Sequence, residues 1–130
     1  MAERSRDWLI QAERDLGSGR WLAEGGFFEQ ACFAAHQAAE KALKAVYGRL
    51  GGAAWGHSVA SLLSGLAERT EVGDDMLEIG RVLDRFYVPT RYPNSWGSGA
   101  PSDYYTGNDA QDAIGRAEQV LRFCQGLLAG

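Results

Sequence analysis

The residues best suited to bind a ligand lie in one long loop, at about residues 88–107, between two helical patterns. The loop is rich in Gly, Ser and aromatic residues and has a single cation, Arg91. A guanidinium is always charged, and its N–H fork binds a phosphate or a carboxylate through two hydrogen bonds. Neighbouring aromatic rings offer faces on which a base can stack. We therefore predict a nucleotide-binding site that consists of Arg91, Tyr92, Trp96, Tyr87 and Asn94.

Each of these side chains also has a structural interpretation. Arg91 can pair with one of the 17 acidic residues of the chain. Trp96, Tyr104 and Tyr105 can instead pack the loop onto the helices or fill a dimer interface. For each of these three rings taken singly, packing is the favoured interpretation. Long loops inside compact domains are nevertheless often functional, so the prediction rests on Arg91 together with the rings around it.

A second group of residues has the types that acid–base chemistry requires. His36, Glu40 and Lys44 recur every four residues and therefore form one row along a helix. An imidazole and a carboxylate one turn apart can move a proton if a cleft excludes water. The favoured alternative is a solvated face, on which Glu40 pairs with Lys44. His57 is a further acid–base candidate, although a structural or capping contact is the favoured interpretation for it.

Composition excludes several classes of function. The chain has 13 Lys and Arg against 17 Asp and Glu, and the net charge of −4 argues against non-specific DNA binding. No metal or other cofactor is predicted, because Cys32 and Cys124 lie far apart and no His is found at ligand spacing. Both cysteines occupy apolar positions of helical patterns, so we expect reduced thiols in the core.

The ends and apolar runs of the sequence suggest a cytoplasmic location. The first residues lead directly into a charged amphipathic pattern and lack the apolar stretch of a signal peptide. No apolar run approaches the roughly 20 residues that cross a bilayer. We therefore expect a cytoplasmic protein that makes no contact with a membrane.

Helical periodicity predicts the elements that position these residues. A first helix ends at Gly25-Gly26. The second carries a seam that faces one neighbouring helix, and its small side chains allow that helix to approach closely. The seam consists of Phe28, Cys32, Ala35, Ala39, Ala42 and Val46. Ser58 is placed to cap a short third helix.

Two more helices follow on either side of the long loop. The fourth helix has an apolar stripe from Met76 to Phe86, and Pro89 is expected to end it. Asn108 or Asp109 is expected to cap the fifth. Because no convincing strand remains, the sequence predicts an all-α fold. We expect residues 1–130 to form a single domain, an up-and-down antiparallel bundle of about five helices with a long loop before the last one.

Three motifs resemble those of a known family. They are the run ACFAAHQAAEKALKA at residues 31–45, the pair His57-Ser58, and Arg91-Tyr92-Pro93. In this order and spacing they resemble the HEPN domain, named for higher eukaryote and prokaryote nucleotide-binding proteins. The resemblance implies a helical bundle, frequent homodimers, and pairing with a small nucleotidyltransferase in two-component or toxin–antitoxin systems.

The resemblance also bears on catalysis. Some HEPN proteins are metal-independent ribonucleases that use an Arg followed, after four to six residues, by a His. In this chain the corresponding positions after Arg91 hold Trp96, Gly97 and Ser98, and the spacing from Arg49 to His57 is too long. Loss of a general acid or base typically slows a reaction 10²–10⁴-fold.

We therefore expect a non-catalytic, homodimeric HEPN protein that binds a nucleotide or a nucleotidyltransferase partner. One alternative is a ribonuclease whose composite site forms across the dimer, where His36 or His57 would lie beside Arg91. The other alternative is a pure interaction scaffold, in which the loop aromatics only bury surface against another subunit.

Overall fold

Five α-helices form the computed structural model, which describes residues 3–130. They are α1 (Ser5–Glu24), α2 (Phe28–Leu50), α3 (Val59–Leu66), α4 (Asp74–Asp84) and α5 (Gly107–Ala129). Two short 3₁₀ turns, Pro93–Ser95 and Pro101–Asp103, lie between α4 and α5. No strand occurs in the described part of the chain. The predicted all-α bundle is therefore confirmed.

Helix α2 lies at the centre of the bundle, where it packs against α1, α5 and α3. Its alanine seam is fully buried, as Ala35, Ala39 and Ala42 show. The expectation that the seam itself faces one neighbouring helix stays a prediction, although α2 as a whole packs against several helices. Small residues make the close packing possible, since a methyl group at Gly19 of α1 would already contact Ala34 of α2 at 3.4 Å.

The helix ends agree with the sequence at two positions. Helix α1 stops at the two glycines, where Gly26 adopts a φ of 84° that other residues rarely accept. The hydroxyl of Ser58 caps α3 by accepting a hydrogen bond from the backbone N–H of Ser61 at 3.0 Å. Both predicted boundaries are confirmed.

Two other predicted boundaries are wrong. Helix α4 ends at Asp84 and not near Pro89, because the backbone N–H groups of the next three residues bond three positions back and tighten the chain into turns. Helix α5 is capped by Thr106, whose hydroxyl accepts from the N–H of Asp109 at 3.2 Å. The Asp109 carboxylate in turn accepts from the Thr106 N–H at 2.9 Å, which completes a capping box.

The segment between α4 and α5, residues 85–106, is held by its own side chains. The indole N–H of Trp96 donates to the Pro89 carbonyl at 2.8 Å. The Trp96 ring stacks on Tyr104 at 3.9 Å between centroids, and its edge contacts Tyr105 at 5.8 Å. The Thr90 hydroxyl donates to the Phe86 carbonyl at 2.9 Å. These contacts fix the backbone on both sides of Arg91.

The core includes residues of all five helices. Cys32 and Cys124 are buried and form no disulfide, as expected from the sequence. Burial raises the pKa of each thiol to about 12, and for Cys32 the nearby carboxylates act in the same direction. Both thiols are therefore protonated at neutral pH and are poor nucleophiles. No helix in residues 3–130 is both long and apolar enough to cross a lipid bilayer.

Candidate functional site

The guanidinium of Arg91 is held against three aromatic rings. Its central carbon lies 4.4 Å from the ring centre of Phe33, 4.6 Å from that of Tyr87 and 5.1 Å from that of Tyr92. Its Nε atom donates a hydrogen bond to the Tyr87 carbonyl at 2.8 Å. Cation–π contacts of this kind contribute about 0.5–2 kcal/mol each. The charge is thus fixed in position by neighbours that do not neutralise it.

The two terminal nitrogens of Arg91 have no partner in the described residues. No carboxylate lies within ion-pair distance of the guanidinium there, and Nε makes its only hydrogen bond. The structural interpretation of Arg91 as the partner of an acid therefore receives no support. An Arg whose Nε is anchored and whose terminal N–H groups remain free is well placed to bind an anion with two hydrogen bonds.

Arg91 lines an open groove of about 610 Å³ between α1, α2 and the segment before α5. This volume falls in the range of small-molecule sites, roughly 300–1,000 Å³. Phe33 and Pro101 give the groove part of its apolar surface. The polar side chains on its walls include Glu29, Gln30, Gln37, Lys41, Arg91 and Ser102. The groove therefore combines apolar surface with polar groups near an unpaired cation.

The ring of Tyr87 connects Arg91 to both histidines. The His36 ring lies 4.9 Å from the Tyr87 ring centre, and the His57 ring is stacked on it at 5.0 Å. Arg91 contacts the same ring. In the ribonuclease alternative, an imidazole is expected to reach Arg91 only across a dimer, whereas the fold brings both imidazoles and the guanidinium to one ring within a single chain.

The row formed by His36, Glu40 and Lys44 is not a solvated face, although the Glu40–Lys44 pair expected with that interpretation is present. His36 is fully buried and Glu40 is 4% exposed. The Oε2 atom of Glu40 bonds Lys44 Nζ at 2.8 Å and His57 Nδ1 at 3.0 Å. Its Oε1 atom is buried and has no hydrogen-bond partner among the described residues. The row is buried because the chain around His57 and Tyr87 covers it.

His57 and Glu40 form a dyad with one free imidazole nitrogen. The His57 side chain is 55% exposed, and only its Nδ1 atom is hydrogen-bonded within residues 3–130. When the neutral ring donates from Nδ1 to Glu40, the lone pair is left on Nε2. Of the structural or capping contact expected for His57, the structure shows a contact with a buried carboxylate, and the dyad can accept a proton.

Asp84 joins three helices next to this cluster. Its carboxylate bonds His36 Nε2 at 3.3 Å and the Ser58 hydroxyl at 2.7 Å. It also accepts from the backbone N–H groups of Val59 at 2.7 Å and Ala60 at 3.2 Å. Burial alone would raise the pKa of Asp84, but these hydrogen bonds outweigh it and hold the pKa below its usual value. Asp84 thereby fixes His36 beside Tyr87.

The structure separates the predicted loop residues into two sets. Tyr87, Arg91 and Tyr92 lie together, and Tyr92 is 47% exposed, but of these three only Arg91 lines the groove. Trp96 does not line the groove, because its ring packs against Tyr104 inside the loop. Asn94 lies in the first 3₁₀ turn, exposed and also outside the groove lining.

Sequence reasoning missed Phe33 and Asp84, which complete the surroundings of Arg91 and His36. Phe33 contacts Arg91 and Asp84 contacts His36, and the two residues of each pair lie more than 40 positions apart in the chain. No local motif therefore marks Phe33 or Asp84. Among residues 3–130, no three His, Cys, Asp or Glu side chains are grouped in a way that would hold a metal ion.

The match to a family model agrees with this geometry. The model of the HEPN domain matches residues 5–127. The chain belongs to the HEPN family. The resemblance seen in the three sequence motifs is therefore confirmed, together with the helical fold that it implies. A comparison with curated proteins found no match.

Solved structures of similar proteins support the assignment. This HEPN chain is 40% identical to TT1696 from Thermus thermophilus, with a TM-score of 0.94 over 97% of this chain and 99% of that chain. It is 39% identical to ST0689, an archaeal HEPN homologue, with a TM-score of 0.81 over 96% and 98%. It is 35% identical to an HEPN domain protein, tm0613, from Thermotoga maritima, with a TM-score of 0.79 over 95% and 98%.

Proposed function

We propose that this HEPN protein binds a nucleotide, without catalysing a reaction, in the groove beside Arg91. The observation that carries the proposal is the state of Arg91, whose charge is held over three rings while its terminal nitrogens lack a partner within residues 3–130. A phosphate group supplies two acceptor oxygens in the geometry of that fork. The groove next to it has a volume suited to a ligand of nucleotide size.

The remaining contacts come from residues in and beside the groove. Tyr92 is outside the groove lining but half exposed beside Arg91, where its ring offers a face for a base. Gln37 and Ser102 supply polar groups for the sugar or the base. Lys41 contributes less to phosphate binding, because it pairs with Asp15 at 2.6 Å. Trp96 is assigned to loop packing in this proposal, since Tyr104 covers its ring.

Isothermal titration calorimetry with ATP tests the proposal. Replacing Arg91 with Ala should weaken binding by roughly 1.5–3 kcal/mol, the range for a hydrogen bond to a charged group. Arg122→Ala is the matched control, because Arg122 is an exposed cation of α5 that does not line the groove. Saturable binding with equal affinity in wild type and Arg91→Ala would refute the assignment of Arg91 to phosphate.

The partner and the oligomeric state are further proposals that rest on HEPN membership. We expect a homodimer, and we expect a small nucleotidyltransferase to be the protein that binds it. Light scattering after gel filtration measures the mass of the HEPN protein alone. Titration with a purified nucleotidyltransferase encoded beside it then tests the partner. If no nucleotide or RNA binds while loop substitutions change only the oligomeric mass, the interaction scaffold is the correct interpretation.

One observation favours a second candidate function, a metal-independent ribonuclease. His57, which pairs with Glu40, and Arg91 both contact the Tyr87 ring within one chain. His57 Nε2 can accept the 2′-hydroxyl proton of RNA as the 2′-oxygen bonds to phosphorus, and the 5′-oxygen leaves and takes a proton from water. Arg91 stabilises the charge that develops on the phosphate. His36 is fully buried, so it can only support this chemistry through neighbouring groups.

Incubation with unstructured RNA in the presence of a chelator distinguishes the two candidates. The ribonuclease predicts cleavage that His57→Ala and Arg91→Ala each abolish, whereas Arg122→Ala cleaves like wild type. The non-catalytic proposal predicts intact RNA in every sample.

A further inference from the structure

We propose that Glu29 makes the groove selective for ribonucleotides over deoxyribonucleotides by accepting hydrogen bonds from the sugar hydroxyls. This inference rests on the proposed nucleotide site at Arg91. The ligand chemistry is that of a ribonucleoside phosphate, either as a free nucleotide or at the 5′ end of an RNA chain.

The position of Glu29 relative to Arg91 carries the inference. Glu29 lies in the first turn of α2, four residues before Phe33, and both residues line the groove. Residues four apart on a helix are neighbours on one face, with Cβ atoms about 5–6 Å apart. The Arg91 guanidinium lies over the Phe33 ring at 4.4 Å. The groove lining therefore includes a guanidinium and a carboxylate that are both neighbours of Phe33.

The chemistry of Glu29 determines which part of the ligand it can contact. Within residues 3–130 its carboxylate forms no ion pair and accepts no side-chain hydrogen bond, although it is only partly exposed. A carboxylate accepts hydrogen bonds and repels phosphate. With the phosphate of a nucleotide on Arg91, the nearest donors of the ligand are the ribose hydroxyls.

A hydrogen bond from the 2′-hydroxyl to this carboxylate would distinguish a ribonucleotide from a deoxyribonucleotide. A carboxylate that accepts from the ribose 2′-hydroxyl is the recognition device of many dinucleotide sites. The 2′-hydroxyl is also the group by which a protein distinguishes RNA from DNA. Glu29 lies at the positive end of the α2 dipole, which favours its negative charge. A deoxynucleotide would leave this carboxylate with one donor fewer.

Calorimetry with ATP and 2′-deoxy-ATP tests the inference. Wild-type protein should bind ATP about tenfold more tightly, as expected for one hydrogen bond to a charged acceptor. Glu29→Ala should weaken ATP binding about tenfold more than it weakens deoxy-ATP binding, which removes the preference. Glu29→Gln keeps an uncharged acceptor and should show an intermediate preference. Glu78→Gln, an exposed position on α4 outside the groove, should behave as wild type.

The outcomes distinguish a failure of the role of Glu29 from a failure of the proposed nucleotide site. Equal affinity of the wild type for ATP and deoxy-ATP, or an equal loss of both on Glu29→Ala, overturns the role of Glu29 and leaves the nucleotide site standing. Absence of binding to any of these ligands overturns both. A 5′-phosphorylated ribo-oligonucleotide and its deoxy counterpart, measured in parallel, show whether the preferred ribonucleotide is free or part of RNA.

Discussion

Asp84 accepts four hydrogen bonds that connect α2, α3 and α4, so its replacement with Ala should strongly destabilise the fold. The two shortest bonds, from the Ser58 hydroxyl and the Val59 N–H, are both 2.7 Å long. Hydrogen bonds to a charged group contribute about 1.5–3 kcal/mol each. Because the side chain is 26% exposed, water replaces part of this network, and we expect a loss of about 3 kcal/mol in the free energy of unfolding.

Urea and thermal denaturation measure this loss directly. For a domain of this size, a loss of about 3 kcal/mol should lower the Tm by about 10 °C. Asp75→Ala is the control, because Asp75 lies exposed in the first turn of α4 and only its interaction with the helix dipole is lost. We expect that control to change stability by less than about 1 kcal/mol. A loss for Asp84→Ala no larger than for Asp75→Ala would refute the argument.

The pH dependence gives a second check on Asp84. Its pKa in the folded protein is lower than its ordinary value of 3.8. The carboxylate therefore stabilises the fold fully above that ordinary value, and this contribution is lost as the pH falls through the lower folded-state pKa. The difference in stability between wild type and Asp84→Ala should be constant near neutral pH and should shrink in acid. A difference that grows as the pH falls would contradict this assignment.

Two further substitutions test the local packing. Thr106→Ala should lower the free energy of unfolding by about 1 kcal/mol in urea denaturation, because it removes the cap of α5. The control, Asn108→Ala, should change it by only a few tenths of a kcal/mol. An equal effect of the two substitutions would contradict the observed cap. Gly65→Ala should lower the free energy of unfolding by about 1–3 kcal/mol in the same assay. The added methyl group would collide with the Tyr47 hydroxyl, which is fixed by its hydrogen bond to the Leu62 carbonyl. An unchanged free energy of unfolding would show that this contact relaxes.

The sequence is sufficient for the helices and for most of the core. Apolar periodicity identifies all five helices. The boundaries fail where tight turns or an overlooked motif decide them. Helix α4 ends at Asp84 because the next three residues form tighter turns, which the apolar stripe does not reveal. Helix α5 begins after Thr106, although the Thr-x-x-Asp pattern of a capping box is present in the sequence.

The candidate site is only partly predictable from the sequence. Arg91 and Tyr92 are neighbours in the chain, so a local pattern is enough to group them with Tyr87. The burial of His36 and Glu40 depends on segments far away in the chain that cover the polar row of α2. Helical spacing alone cannot distinguish such a buried polar row from a solvated one, because both place polar residues four positions apart.

The most direct test of the central claim is a nucleotide titration monitored by NMR. The spectra follow the side-chain amide signals of the glutamines. Gln30 and Gln37 line the groove beside Arg91, whereas Gln111 and Gln119 lie on the surface between α4 and α5. We predict that ATP shifts the signals of Gln30, Gln37 and the Arg91 Nε–H saturably and leaves Gln111 and Gln119 unchanged. Shifts confined to Gln111 and Gln119, or no shift at any of these groups, would contradict a nucleotide site in the groove.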